Sequence, residues 1–420
     1  MVLPDRPRPA GPHPVAMPAR RAETAGPGPG TAGPPTESAG TRPEGAGTRP
    51  EGVGARLPRG AVLAGLGAAG LGLAAAALPF PAAEAAPPSR GLPVLRPGDD
   101  WAEVLARTPQ VQLVPGARYV LEAPVALPTG TLLEGSGAIV VPSSTGHGLF
   151  TVDGASDVTL RGLRLHGEDG YGHDALPPID LPLEPGHTAL RARRARNLRV
   201  LDCDLLGWRG AGIAATGDVA DDYFSYGLQV HGCRFEACHI GLSAADRCEY
   251  SMLTTSVFTA CRLAVWNSSG NWTLSGNVIV GCHGAYYSIA ATRPFGERSS
   301  DNWGHGAVTG CTMNHSVGGT PRRWTRHLEL VIGGVARDPG PGVVVEGLLP
   351  PTFSANTLWY TDVTARDLPA SAWYLTGCTL SDLRITQDGG APVRLLGHQS
   401  NAGDSHAPEL VGDVADALAP

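Results

Sequence analysis

The sequence predicts an all-β chain whose ordered part is a single right-handed parallel β-helix, a solenoid with a short N-terminal capping helix and a disordered segment ahead of it. Three observations carry this: a recurring unit of about 22 residues with variable insertions, short strand-like runs split by Gly/Pro turns, and a column of Cys, Thr and Asn at one repeat position. NLRVLDC ends at Cys203, GLQVHGC at Cys233, EYSMLTT at Thr255, NWTLSGN at Asn277 and HGAVTGC at Cys311, at intervals of 30, 22, 22 and 34 residues. An upstream member, DVTLRGL, ends at Leu163, and a late one, AWYLTGC, at Cys378. A second short run (GIAA, GLSA, LAVW, AYYS) follows several of these at a similar offset. Leucine-rich repeats need a fixed L-x-x-L-x-L frame that is absent, and a β-sandwich would show turns every 8–12 residues without a common column.

Stacking explains the cysteines. Cys203, Cys233, Cys311 and Cys378 share a position with Thr255 and Asn277, so they line an interior ladder of mostly buried free thiols. Cys238, Cys261 and Cys282 form a second column; Cys238 and Cys261 on adjacent coils lie within disulfide reach. No C-x2-C pair points to a metal site.

The remaining elements follow in order. Residues 1–60 are Pro/Gly-rich with few apolar residues, too few to offset chain entropy, and are expected to be disordered. Arg56 and Arg59 then flank an Ala/Gly/Leu run from Ala61 to Leu78, closed by Ala83-Glu-Ala85: the basic flank, apolar core and small-residue cleavage site of a signal peptide spanning 61–85. The run is weakly apolar, interrupted by Gly and followed at once by Pro, which disfavours a membrane span. Secretion is expected, by the Sec or the twin-arginine route; Arg20-Arg21 are adjacent but far upstream, and the true start lies open to a position further downstream. Residues 86–98 are a linker, 99–400 the β-helix, opening with a helix over DDWAEVLART, and 401–420 a C-terminal tail. Residues 322–350 break the repeat as a longer coil or a protruding hairpin. All 32 basic residues are Arg, and the formal charge of -7 argues against a nucleic-acid partner. The one basic run, Arg191, Arg193, Arg194, Arg196 and Arg199, reads as the solvated face of a strand. No terminal coiled-coil heptad speaks to an oligomeric state.

The entry stretch RPGDDWAEVLART…VQLVPGARYVLEAPVALPTGTLLEGSG resembles the first coil of pectate-lyase-like β-helix proteins, where a short helix caps the coil. The stretch from GLQVHGCRFEACHIGLSA to DNWGHGAVTGCTMNHS is similar to coils of bacterial β-helix proteins and of phage tail-spike-like receptor-binding proteins. The resemblance covers roughly residues 92–400 and implies polysaccharide or cell-surface glycan as ligand. It also implies catalysis by paired carboxylates (a glycoside hydrolase) or by a Lys/Arg base with calcium (a polysaccharide lyase); without Lys, only Arg could be that base. Polygalacturonases carry N-T-D, D-D, G-H-G and R-I-K on successive coils. Here Asp221-Asp222, Gly304-His305-Gly306 and Arg384-Ile385-Thr386 stand out, but N-T-D is missing and 82 residues separate the first two elements. The match is coincidental.

The insertions Asp218–Tyr226 (DVADDYFSY) and Arg293–His305 (RPFGERSSDNWGH) gather acids, aromatics and Arg in loops on a rigid scaffold, where binding groups accumulate. Asp221, Asp222, Glu297 and Asp301 are the candidate acid/base carboxylates, and His305 and His283 the candidate proton carriers. Tyr223, Tyr226, Tyr286, Tyr287 and Trp303 offer faces for a sugar ring, and Arg293 a cation. The insertion Asp169–His187 holds Asp169, His173, Asp174, Asp180, Glu184 and His187, which could take calcium, though it lacks a D-x-D-x-D-G loop. It reads best as a Pro-rich wall of the groove. Two classes of function remain: a secreted carbohydrate-active enzyme, or a non-catalytic glycan-binding, adhesin-like or structural surface protein.

Overall fold

In the computed structural model, residues 91–167, 183–218, 220–245, 247–289, 304–315, 330–332, 335–337, 342–347, 349–369, 371–400 and 407–417 are described. The chain divides into two units, Met1–Pro79 and Phe80–Pro420, and every described residue lies in the second. The expected disordered and signal segments fall outside the described residues.

Each coil contributes a short strand to three sheets in turn, as in Arg199–Leu201 (sheet A), Asp204–Leu206 (sheet B), Ala211–Thr216 (sheet C) and then Gln229–His231 in sheet A again. Among the described residues, sheet A stacks 13 such strands and sheets B and C stack 11 each. Pairing within these three sheets is parallel throughout, for instance Val200 beside Val230 and Val230 beside Leu253. The fold is a parallel β-helix. Sheets A and B bury alternate residues, and the inward Val200, Val230, Leu253, Leu274 and Val308 stack as one apolar row at 0–1% exposure. Burial of each such side chain contributes roughly 1.5–3 kcal/mol. The ladder reaches past its expected limits: Val94–Leu95 pairs with Gln112–Leu113, and Glu409–Val411 and Val414–Asp416 add to sheets C and A. In the segment that breaks the repeat, Leu330–Ile332 pairs antiparallel with Val335–Arg337 as a hairpin, and Gly342–Glu346 rejoins sheet C.

Helix α1 (Trp101–Arg107) closes the N-terminal end. The Asp100 carboxylate accepts the Glu103 N–H as its N-cap, and Trp101 and Leu105 face the core. Trp101 meets Tyr119 edge-on at 5.7 Å and Phe150 at 5.7 Å. The Tyr119 hydroxyl donates to the Leu95 carbonyl and accepts from the Val114 N–H, tying the first strand to the first coil.

From Gly162–Leu163 onward the corner from sheet A to sheet B is two residues long, against four in the first two coils (114–117 and 135–138). Its first residue is left-handed, as in Asp202, Gly232, Thr255, Gly276, Gly310, Ala355 and Gly377. Its second points inward and forms the interior column: Leu163, Cys203, Cys233, Ser256, Asn277, Cys311, Asn356 and Cys378. This corrects the sequence alignment at one coil. Ser256, not Thr255, occupies the column; Thr255 is the left-handed corner residue (φ 48°), and the register leaves no choice because Thr254 pairs with Ser275. Asn356 is a further member. The column serves amides that the turn takes out of the ladder: Asn277 Oδ1 accepts the Ser256 N–H (3.0 Å) while its Nδ2 donates to the Leu253 carbonyl (2.9 Å), and Asn356 does the same for Cys311 and Val308 (2.9 and 2.9 Å).

All eight cysteines are buried and free. Cys238, Cys261 and Cys282 do stack as a second column, since Glu236, Thr259 and Val280 are in register. Burial holds the Cys238 and Cys261 thiols well above the ordinary thiol range and pushes Cys248 up to about 12, so these sulfurs are protonated packing groups.

Replacing Asn277 by Ala strands the Ser256 N–H and the Leu253 carbonyl in the interior, at about 1–3 kcal/mol for each unsatisfied group. Urea unfolding should show that loss, with Asn277→Cys, the residue used elsewhere in the column, milder. A loss of under about 1 kcal/mol for Asn277→Ala would refute the role given to the column.

Candidate functional site

The corner from sheet C back to sheet A is not fixed in length. It takes five residues between Arg193 and Arg199 but twelve between Thr216 and Gln229. The long corner folds back on itself, with Asp218 and Tyr223 exchanging both backbone hydrogen bonds (2.8 and 2.8 Å). Ser225–Tyr226 then pairs with Cys248–Glu249 of the next coil, and Arg196 bridges Ser156 and Tyr226 on either side. These corners therefore form a small ladder of their own on one edge of the solenoid.

Arginines fasten that edge. Arg193 binds Asp218 at 2.5 Å, Arg194 binds Asp221, and Arg247 binds Asp222 at 2.6 Å. Burial alone would raise the Asp218 carboxyl, but bonds from the Ala220 N–H and Arg193 outweigh it and hold the group below the usual carboxylate range. The Arg196 guanidinium sits over both Tyr223 and Tyr226, 4.9 and 5.3 Å from their centroids, and forms no salt bridge among the described residues.

Beside this ridge lies a depression of about 380 Å³ lined by Phe224, Glu249, Tyr250 and His305. Phe224 is 40% exposed and Tyr250 66%, whereas Glu249 is buried at 8%. Asn271 Nδ2 donates to Glu249 Oε2 at 2.9 Å, which leaves Asn271 Oδ1 to accept from His305 Nε2 at 3.2 Å. Three successive corners thus supply a carboxylate, an amide and an imidazole in one hydrogen-bonded row. Gly270 makes room for it: a Cβ there would come within 2.5 Å of His305 Cε1.

The structure disposes of the sequence candidates unevenly. His305 lines the depression; Tyr223 and Tyr226 stand beside it, gripping Arg196. Asp221 and Asp222 are each ion-paired, one to Arg194 on the preceding coil and one to Arg247 on the following coil. Tyr286 and Tyr287 are fully buried, so neither offers a face to a sugar; Tyr286 bonds Asn267 in the core and is pushed up to about 12 by burial, while Tyr287 packs against Trp266. His283 is buried as well. Arg191 and Arg193 are exposed, as the reading of a solvated strand face requires. Arg293, Glu297, Asp301 and Trp303 lie outside the described residues, as do residues 168–182 of the proposed calcium loop. Of that loop's end, Glu184 pairs with Arg209 and His187 packs on Trp208. Among the described residues, no group of three His, Cys, Asp or Glu side chains is arranged to hold a metal ion. Sequence reasoning missed Glu249, Tyr250 and Asn271. The local signal for Glu249 and Tyr250 was the polar DRCEY corner between two apolar strands; Asn271 had none.

No protein-family model matches the chain, and no curated protein sequence does. Among solved structures, the N-terminal fragment of gene product 12 of bacteriophage Phi29 aligns with 76% of this chain and 68% of its own, at 12% identity and a TM-score of 0.43. A double mutant of the tailspike protein of E. coli bacteriophage HK620 aligns with 74% of this chain and 65% of its own, at 13% identity and a TM-score of 0.45. The catalytic domain of a GH87 alpha-1,3-glucanase in complex with nigerose aligns with 80% of this chain and 69% of its own, at 8% identity and a TM-score of 0.39. The chain spans about two thirds of the length of these structures.

Gly270→Ala is expected to push the His305 ring off Asn271 at an overpacking cost of about 1–3 kcal/mol. NMR of the imidazole would report a changed Nε2–H environment in the variant, and an unaltered His305 spectrum in a folded protein would contradict the packing described.

Proposed function

We propose that this chain is an exported glycan-binding protein that takes a polysaccharide along the edge between sheets C and A. The depression of Phe224, Glu249, Tyr250 and His305 carries the reading. Exposed rings offer flat faces to the CH groups of a sugar, and a buried carboxylate and an imidazole beside them accept and donate hydrogen bonds to its hydroxyls. Arg196, its guanidinium over two tyrosine rings, extends the polar rim. Export is supported by the Arg56/Arg59 flank, the apolar run to Leu78 and the Ala83-Glu-Ala85 site; among the described residues no helix is long and apolar enough to cross a membrane.

The described residues supply groups for binding, whereas Glu297 and Asp301 of the acid/base candidates lie outside them. A glycosidase needs two carboxyl groups roughly 5–9.5 Å apart across the bond, and among the described residues Glu249 is the one carboxylate that lines the depression. Asp221 and Asp222, the first candidates for that work, are engaged by arginines.

A polysaccharide panel scored for retention, new reducing ends and unsaturated products tests both readings. The expected outcome is retention without either product, weakened about tenfold in Tyr250→Ala, a loss near 1.4 kcal/mol. Glu249→Gln should weaken binding while leaving the fold intact. Release of reducing ends abolished by Glu249→Gln would make the protein a hydrolase, and no retention on any member would overturn glycan binding.

A further inference from the structure

From Gly207 onward, seven successive corners from sheet B to sheet C carry a left-handed residue, and in the first four it is small: Gly207, Ala237, Ala260 and Gly281. Strand register continues this column into His315, Tyr360 and Asp382, at φ 57°, 49° and 53°. A bulky aromatic at positive φ is a backbone outlier that the fold itself has no need of, since Gly and Ala fill the same position elsewhere. The main chain at both positions is tied into the next coil: the His315 N–H donates to the Trp359 carbonyl (3.0 Å) and the Tyr360 N–H to the Ser381 carbonyl (3.2 Å).

The strained residues gather an aromatic surface. The Tyr360 ring lies 5.8 Å from Trp359 and within 15° of its plane, and 5.2 Å from His315 at a tilt of 29°. Trp359 and Tyr360 are 39% and 37% exposed. Trp359 Nε1 donates to Asp382 Oδ2 at 2.9 Å, and Ser381 Oγ holds the same oxygen at 2.8 Å, which fixes the indole. The Tyr360 hydroxyl has no partner among the described residues. Stacked rings with a hydroxyl and a carboxylate at the rim match the alternating apolar face and polar edge of a pyranose.

We propose that His315, Tyr360 and Trp359 form a second sugar-stacking site, on a different edge from the Glu249 depression, that takes a pyranose unit of a polysaccharide. It shares with the reading above only the class of ligand. Backbone strain is here exchanged for an exposed ring.

Tyr360→Gly separates the two roles of the residue, because Gly adopts positive φ without steric cost. Affinity electrophoresis of the whole chain in gels containing each member of a polysaccharide panel, beside thermal unfolding, is the test. The expected result is a melting temperature equal to or above that of the parent, with retention weakened about tenfold on the members that retard the parent. Trp359→Phe, which keeps a ring, should weaken it less than Trp359→Ala. Retention unchanged in Tyr360→Gly overturns the second site, as does a variant that merely loses self-association. Weakening by Tyr360→Gly with none by Tyr250→Ala would sustain this site and sink the first. A parent retained by no member overturns both.

Discussion

The whole coil depends on how its tightest corner pays for leaving the ladder. From Gly162 onward the chain turns between sheets A and B in two residues, one left-handed and one pointing inward. A turn that sharp removes an amide from inter-strand pairing, and the interior offers no water to replace the bond. Asn277, Asn356 and Ser256 supply it from the next coil, and the cysteines fill the same position as compact side chains whose thiols reach nearby carbonyls, Cys203 to Leu201 at 3.2 Å and Cys233 to Val200 at 3.3 Å. After the two four-residue corners that open the solenoid the length there stays at two residues, which keeps each inward residue stacked on the one before it.

Variation therefore concentrates at the other two corners. The passage from sheet C to sheet A admits the Asp218–Tyr226 excursion, and the passage from sheet B to sheet C admits the hairpin of Leu330–Ile332 and Val335–Arg337. An excursion without a core of its own needs other fastenings. Here they are cross-coil: Asp221 to Arg194, Asp222 to Arg247, and Arg196 between two rings. Exposed pairs of this kind contribute roughly 0–1 kcal/mol each, so the loop is held by several weak ties. Glu249 differs. It is buried, it accepts from the Asn271 amide, and among the described residues it forms no ion pair.

What was legible in the sequence follows the same division. The column announced itself through Cys203, Cys233, Asn277, Cys311 and Cys378, residue types rare enough to align by eye. It slipped by one at Thr254-Thr255-Ser256, where three hydroxyl residues in a row look alike and only strand register distinguishes the corner from the column. The site was harder. Glu249, Asn271 and His305 are 22 and 34 residues apart, and nothing local links them; they meet because each occupies the same corner of successive coils. Asp221 and Asp222 drew notice as adjacent acids, yet they sit in a turn with Asp222 left-handed (φ 50°), and they are held by different arginines.

A rigid solenoid also converts sequence distance into fixed spatial distance. The coil carrying Tyr250 leads into the strand Ser251–Thr254, and the coil carrying Tyr360 contains Thr352–Ser354, three steps further along sheet A. At about 4.8 Å per step the two aromatic surfaces are offset by roughly 14 Å along the axis and separated by the width of sheet C. A short oligosaccharide can occupy one of them, whereas a polymer long enough to round that sheet can engage both. Its second contact is then intramolecular, and weak individual sites sum to a tight hold with no new contact made. Such a protein would discriminate by chain length as much as by sugar identity, a selectivity that follows from coil spacing and needs no further residue to specify it.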